Sequence, residues 1–233
     1  LGHGFDTGAL EHRFTLSLRG RHTTTELASS FAVPLGAFDL AAGDPPDVSE
    51  PRWTGVRGVD VVKQYTVSAS YGLAWRDRVQ LRLGVHRTRY DKAVLSTSGI
   101  SSERISNTTN FNVSAVVNLT DRAALFASWV TGLEESGSAP ASAVNREEVL
   151  PPVETEQFEL GARYALSPRL TLIAALFDVS KPNQGFRLDR TFGVVGDVRH
   201  RGFEASIAGE ITPETSILAG FVVFQSRLTG ELV

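Results

Sequence analysis

Five histidines, His3, His12, His22, His86 and His200, stand in a chain of 233 residues that has no cysteine. They are scattered, with no His-x-x-x-His or His-Glu-x-x-His spacing that would set two imidazoles around one metal ion. Polar strand or loop positions account for them, and no metal site is expected. Ser136-Gly137-Ser138 lacks the setting of a nucleophile elbow, and Asp189 and Asp197 read as solvated loop carboxylates rather than an acid–base pair. No catalytic residue is assigned, and the chain is not read as an enzyme. The chemistry that remains is that of binding. Phe186, Arg187, Arg190 and Phe192 fall in one short loop segment, and Trp53 lies near Arg52 and Arg57. Arginine donates forked hydrogen bonds to anionic oxygens, and aromatic rings stack on flat ligand faces. The candidate binding residues are therefore Trp53, Arg57, Phe186, Arg187, Arg190 and Phe192, against the alternative for each of a hydrated loop surface.

These loops must hang on something, and residues 154–224 show what. Phe158, Leu160, Ala162 and Tyr164 alternate with Gln157, Glu159, Gly161 and Arg163. Later, Phe203, Ala205, Ile207 and Ile211 alternate with Gly202, Glu204, Ser206 and Glu210. Side chains of a strand point to opposite faces in turn, so each run has an apolar face and a polar or small one. Tight turns at Ser167-Pro168-Arg169 and Thr212-Pro213-Glu214 join such runs, with a looser segment, residues 181–197, between the pairs. The runs at 170–180 and 215–225 are apolar in both phases, and their faces stay unassigned.

The same layout recurs upstream. Residues 11–21 form a first alternating run, followed by a long Pro- and Gly-containing segment to about residue 58. Tyr65, Val67, Ala69, Tyr71, Leu73 and Trp75 share one face of the next run. A turn at Asp77 leads to a strand ending near Tyr90-Asp91, and a Ser/Thr-rich loop runs to about Ser106. Phe111, Val113, Ala115 and Val117 then alternate with asparagines and serines up to a turn at Asp121. The turn centres, Asp77, Asp121, Pro168 and Pro213, recur roughly every 45 residues. Propeller blades have repeats of similar length, but of four short strands each; here each repeat holds two long ones. Nine strands are counted, many of ten residues or more, the length needed to cross an outer membrane at a tilt.

The fold class expected is all-β: an antiparallel up-and-down transmembrane β-barrel, present as an open partial barrel of about nine strands with free edges near Phe14 and Val222. Tyr65, Val67, Phe111, Val113, Phe158, Leu160, Phe203 and Ile207 are expected to face lipid. Ser68, Asn112, Glu159, Arg163 and Glu204 are expected to face the lumen. Trp75, Tyr90, Trp129 and Tyr164 sit near strand ends, where interfacial girdles place aromatics. Net charge −3 and a pI of 6.0 leave no basic footprint for nucleic acid. Mean hydropathy of −0.05 is compatible with a barrel, because only alternate residues meet lipid. Residues 1–10 carry no signal-peptide pattern and the end carries no closing motif, so residues 1–233 are expected to be an internal piece of a longer barrel domain.

With the strands placed, a family resemblance emerges. Phe5-Asp6-Thr7-Gly8 with His12, Leu81-Arg82-Leu83-Gly84-Val85 before Tyr90-Asp91, and Phe126-Ala127-Ser128-Trp129 are similar to successive motifs of TonB-dependent outer-membrane receptors. So are Pro152-Val153-Glu154 through Phe158-Glu159-Leu160-Gly161, Phe177-Asp178-Val179 and Arg201-Gly202-Phe203-Glu204. The chain resembles the ferric-siderophore branch. It departs from the pattern in lacking the Gln-Asp pair before the Asp77 turn, and His86 or Arg87 stands near the family's arginine. The resemblance implies a receptor in the bacterial outer membrane that takes up a ferric siderophore with energy from the TonB system, acting through a plug domain that these residues do not include. It also implies outer-membrane lipid as a partner and no cofactor, since iron arrives chelated by the siderophore. Such barrels have about 22 strands. Two other functions remain open at this level, a passive outer-membrane porin and a soluble β-rich binding module.

Overall fold

Alternating side chains become a sheet only if every backbone donor and acceptor finds a partner along the strand. The computed structural model describes residues 1–27, 58–97 and 99–230, and within them ten strands satisfy that condition. They are β1 (Gly2–Thr7), β2 (Leu10–Leu27), β3 (Gly58–Trp75), β4 (Val79–Leu95), β5 (Ser101–Asn118), β6 (Ala123–Glu134), β7 (Val153–Ser167), β8 (Leu170–Phe186), β9 (Phe192–Thr212) and β10 (Thr215–Gly230). All belong to one sheet whose spatial order is the chain order, and every neighbouring pair is antiparallel, as in β3–β4 and β8–β9. The sheet is open, since β1 and β10 do not pair with each other among the described residues.

Ten strands replace the nine expected. The additional one is β1, whose six residues, Gly-His-Gly-Phe-Asp-Thr, show no alternation and are held by pairing with β2. One free edge therefore lies on β1 rather than near Phe14, and the other on β10, as expected. Tight turns around residues 77, 121, 168 and 213 fall at one end of the sheet, and the connections at 96–100, 135–152 and 187–191 at the other. Two of those connections are much shorter than expected. The strands run on past Tyr90-Asp91 to Leu95 and resume at Ser101, and β8 extends through Asn183 to Phe186. Beyond the apolar band neither face of a strand meets lipid, so the alternation vanishes while the hydrogen-bond ladder continues.

Register assigns the faces. Residues opposite one another share a face, so Ser68, His86 and Asn110 form one row, and Tyr71, Leu83, Val113, Trp129 and Phe158 another. The first row belongs to the inner face, which carries the buried residues Val62, Thr88, Tyr90, Lys92 and Asn110. Ser68, Asn112, Glu159, Arg163 and Glu204 lie on it. Tyr65, Val67, Phe111, Val113, Phe158, Leu160, Phe203 and Ile207 lie on the outer face. Tyr90 does not join an aromatic girdle: it shares the inner phase with Lys92 and is 2% exposed. Trp75, Trp129 and Tyr164 do point outward. The unassigned runs are settled too, with Leu172, Leu176, Phe221 and Val223 outside and Ile173, Phe177, Val222 and Phe224 inside.

On the outer face the change from apolar to polar comes at one boundary. Counting away from the tight turns, β4 shows Val79, Leu81, Leu83 and Val85, then Arg87, Arg89 and Asp91. β7 shows Leu166, Tyr164, Ala162, Leu160 and Phe158, then Glu156 and Glu154. β9 shows Ile211, Gly209, Ile207, Ala205 and Phe203, then Arg201, Arg199 and Asp197. The apolar stretch matches the roughly nine to eleven tilted residues that span a bilayer. Among the described residues no helix is long and apolar enough to cross a membrane.

Three motif glycines acquire a physical role on the inner face. Gly84 lies opposite Asn112, Gly161 opposite Phe126 and Gly202 opposite Phe177. In each pair the partner's side chain lies where a Cβ would stand. A glycine thus lets a large neighbour fold flat against the wall.

Two outcomes test this arrangement in the complete polypeptide folded into lipid. Val113→Arg, in the middle of the outer band, is expected to cost about 2–4 kcal/mol. Ser128→Arg, on the inner face opposite Glu159, is expected to cost little; urea unfolding in vesicles distinguishes them. Gly161→Val, which drives Phe126 off the wall, is expected to cost about 1–3 kcal/mol through overpacking in the same assay.

Candidate functional site

The site is built where the strands rise above the apolar band and one connection, residues 135–152, folds back over the inner face. It closes on itself through a bridge between Ser138 and Val149 and through backbone bonds from Ala139 to Glu148 and from Leu150 to Gly137. Its own Ala139, Ala143, Val149 and Leu150 are buried, giving this part of the molecule a small apolar core.

Charge fixes the near end of this strap. The Lys92 ammonium, 5% exposed, donates to Asp60 at 3.0 Å, to Glu135 at 3.1 Å and to the Ser136 carbonyl at 3.0 Å. Arg21 reaches the other oxygen of Glu135 at 3.1 Å. Burial alone would raise the Glu135 carboxyl, but the hydrogen bonds and charges of Lys92 and Arg21 outweigh it and hold the group below its ordinary value of 4.5. From β5, Arg104 donates to the Val149 carbonyl and to Glu148, both at 2.8 Å, and Ser102 accepts from the Val149 N–H. The far side attaches to the β8–β9 hairpin. The Asn145 amide pairs with both backbone groups of Phe192, donating at 2.9 Å and accepting at 2.8 Å, as a neighbouring strand would. The Val144 N–H donates to the Arg190 carbonyl, and Gln184 donates to Ser136.

Four of the six residues singled out in the sequence meet at that hairpin tip. Phe186 and Phe192 are opposite each other, edge to face at 5.2 Å. Arg187 donates to the Val194 carbonyl at 3.0 Å and lies over Gly193. Arg190, with φ of 62°, donates toward the Ser142 carbonyl at 3.4 Å. Asp189 accepts from both the hydroxyl and the N–H of Thr191, which lowers its carboxyl from the usual range. The remaining two, Trp53 and Arg57, lie outside the described residues.

Sequence reasoning missed the strap's anchors. Lys92, Arg104 and Asn145 are each isolated in the sequence, and the partners that tie them across the sheet, Asp60 and Glu135, Glu148, and Phe192, lie far from them along the chain. The only local sign was the adjacent pair Glu134-Glu135 at the end of an alternating run.

Below the strap the inner wall carries a ladder of polar side chains. Asn112 Oδ1 accepts from His86 Nε2 at 2.7 Å, so His86 Nδ1 is free to accept from the Ser68 hydroxyl at 2.8 Å. Thr66 and Thr88 hydroxyls pair at 2.9 Å. With Arg19 and Arg21 beside them, these groups line a cavity of about 490 Å³ that suits an oxygen-rich guest. Among the described residues no cluster of His, Asp or Glu is placed to hold a metal ion.

The family described as "TonB dependent receptor-like, beta-barrel" matches residues 2–230. A probable TonB-dependent siderophore receptor of Acinetobacter baumannii, PiuA, is 24% identical over 257 residues, covering 97% of this chain and 35% of its own. The ferrichrome receptor FcuA of Yersinia enterocolitica is 26% identical over 248 residues, covering 98% of this chain and 31% of its own. The chain thus spans about a third of the length of these relatives. The crystal structure of the ferric-catecholate import receptor Fiu from Escherichia coli K12 superposes with a TM-score of 0.80 at 20% identity, over 100% of this chain and 37% of that one. The ferric preacinetobactin receptor BauA of A. baumannii gives 0.79 at 23% identity, over 99% and 36%. At these identities the structural likeness establishes the fold.

The strap's attachment has a definite pH response. Because the folded Glu135 carboxyl titrates below its free value of 4.5, its contribution is complete above that value and fades as pH falls through the depressed one. Hydrogen exchange of residues 135–150 is expected to stay slow at neutral pH and to accelerate only below about pH 4.5. Lys92→Ala is expected to release the strap at neutral pH. Its cost is roughly 2–3 kcal/mol, less than for a fully buried pair because Glu135 remains 38% exposed.

Proposed function

Since the chain belongs to the TonB-dependent receptor β-barrel family of the bacterial outer membrane, we propose that residues 1–233 are part of the barrel domain of a receptor for ferric siderophores. The observation that carries this reading is the family match along residues 2–230 together with relatives named as siderophore and ferrichrome receptors. The remaining strands and a plug domain come, on this reading, from the rest of the polypeptide. Energy reaches the plug through TonB. Iron is cargo, chelated by the siderophore, and the protein supplies no ligand to it and no cofactor. The relatives are receptors, and the chain acts as a receptor and transporter rather than an enzyme.

The mouth supports this division of labour. A siderophore presents a bulky, oxygen-rich surface around its metal. The hairpin tip offers the Arg187 and Arg190 guanidiniums and the paired rings of Phe186 and Phe192 to such a surface, with Trp53 and Arg57 as further candidates. The strap fixes that tip through Asn145, so the donors meet a ligand with little further ordering, which limits the entropic cost of capture.

Uptake of radio-iron presented as ferrichrome, as a catecholate or as a hydroxamate chelate, by cells relying on the complete receptor, tests the proposal. Uptake is expected for at least one chelate class and should vanish when TonB is deleted. Flux that persists without TonB and scales with solute size would identify a passive pore instead. Arg187→Ala with Arg190→Ala is expected to weaken binding of the transported chelate at least about tenfold, the worth of one charge-assisted hydrogen bond. Unchanged affinity would remove the hairpin tip from the site.

A further inference from the structure

Above the apolar band the wall divides, and one margin of the division is bare. β5 and β6 pair from Asn118 and Ala124 up to Asn112 and Val130. Beyond that point β5 continues along β4 to Ser101, and β6 along β7 to Glu134. Three bonds fix the backbone phase of β5. The Asn118 N–H donates to Arg78 on the β4 side and the Leu119 N–H to Ala123 on the β6 side. The Phe111 N–H donates to the Thr131 hydroxyl of β6. In an antiparallel ladder the N–H and C=O of one residue point to the same neighbour, and successive residues alternate between neighbours. The register of β5 with β4 is unbroken. Even-numbered residues of β5 therefore bond to β4, while Thr109, Asn107, Ile105 and Glu103 turn their N–H and C=O groups toward the division. Among the described residues no hydrogen bond meets those backbone groups.

This edge differs from the margins at β1 and β10. Sheet order follows chain order, so strands from the remainder of the polypeptide add beyond β1 or β10 and not between β5 and β6. The strap lies on the inner side of the edge, held by Ser102 and Arg104, which leaves approach from the outer side. Exposed edges are ordinarily blunted by lysine, proline, a bulge or short length. Residues 101–111 contain neither lysine nor proline, and their ladder has no bulge. The bare part is about 20 Å long at ~3.4 Å per residue. Its outward side chains are Thr109, Asn107, Ile105 and Glu103, and Ile105 is 49% exposed above the level of lipid. Arg87 reaches from β4 to the Thr109 hydroxyl at 2.7 Å, which brings its guanidinium to the edge, and it has no carboxylate partner among the described residues.

We propose that the β5 edge from Glu103 to Thr109 is a docking site for an extended polypeptide segment of another molecule outside the cell, which joins the sheet as an added strand. Main-chain bonds supply the affinity in this mode, and alternate side chains the specificity. Only a backbone in strand conformation repeats its donors and acceptors at the spacing the edge presents. Side chains narrow the choice of segment. Running antiparallel to β5, it places alternate residues on the outer face. The residue opposite Thr109 meets Arg87 and is acidic; the residue opposite Ile105 is aliphatic. Cross-strand pairs of both kinds stabilise a ladder. The segment thus reads acidic-x-x-x-aliphatic within a β-prone run. The proposal rests on this end of the sheet lying outside the cell, and not on the nature of the cargo.

The test uses the complete receptor in a mild detergent and the end-blocked peptide Thr-Glu-Thr-Val-Thr-Ile-Thr-Lys, whose glutamate falls opposite Thr109 and isoleucine opposite Ile105. Hydrogen exchange is followed residue by residue by mass spectrometry. In the free receptor the amides of Glu103, Ile105, Asn107 and Thr109 are expected to exchange as open groups, while those of Arg104, Ser106 and Thr108, bonded to β4, stay protected. The peptide should slow the first set at least about tenfold, the worth of one hydrogen bond for each amide. Methylating the peptide nitrogens of valine and isoleucine, which face β5, should abolish this, and methylating those of the intervening threonines should not. Asn107→Pro removes a donor from the edge but none from the β4 ladder, and should weaken binding at least about tenfold. Arg87→Gln should weaken binding of this peptide and leave unchanged that of a counterpart with glutamine for glutamate. Heat-modified gel mobility verifies that each variant is folded. Slow exchange of the first set in the free receptor overturns the proposal, because the edge would already be covered. No slowing with the peptide, or equal binding by Asn107→Pro or of the peptide methylated at valine and isoleucine, overturns it too. Radio-iron uptake by Asn107→Pro is expected at wild-type level, which separates failure here from failure of the transport reading.

Discussion

In hydrocarbon an unpaired backbone N–H or C=O has no water to turn to, at a cost of several kcal/mol for each. The rest of this molecule follows from that constraint. It forces the ladder from β1 to β10 to run without a gap across the apolar band, and the register shows that it does. The three irregularities, between Ala165 and Ser167, Asn183 and Gln184, and Thr215 and Ser216, all sit near strand ends. Within the band, where a slip of one residue would turn an entire strand's apolar side chains inward, the pairing is regular. Among the described residues, unpaired edges are left by β1 and β10, by β2 beyond the short β1, and by β5 above Asn112, where its pairing with β6 stops.

The sequence could be read where chemistry alternates with geometry. Tyr65 to Trp75, Phe111 to Val117 and Phe203 to Ile211 change partners every residue, lipid then lumen, and their faces follow. Elsewhere the signal failed for physical reasons. Gly2–Thr7 carries no alternation because β1 is held by β2 and not by a two-sided environment. The upper parts of β4, β5 and β8 look like loops because neither side meets lipid there. In β8 and β10 both phases are apolar, since Ile173, Phe177, Val222 and Phe224 face inward, and only register could tell the two faces apart. Tyr90 shows the same limit at a single residue: its place near a polar stretch resembles a girdle position, yet its phase sends it under the strap.

The site divides in the same way. Phe186, Arg187, Arg190 and Phe192 are close in sequence because one hairpin makes their contact, so composition found them together. The strap is held by Lys92 with Asp60 and Glu135, Arg104 with Glu148, and Asn145 with Phe192, pairs separated by most of a hairpin repeat or more. No local pattern announces such contacts. They nonetheless decide where the hairpin tip stands, because the strap ties β8 and β9 to β4 and β5 across the intervening strands.

The sharp boundary on the outer face has a mechanical meaning. A wall whose greasy height is fixed on β4, β7 and β9, with charge directly above it, resists vertical displacement: sinking would bury Arg87, Arg199 and Arg201, and rising would strand Phe203 and Leu160 in water. The membrane thereby clamps the sheet as a stator. A load applied along the strands therefore meets a fixed frame rather than a wall that slides with it.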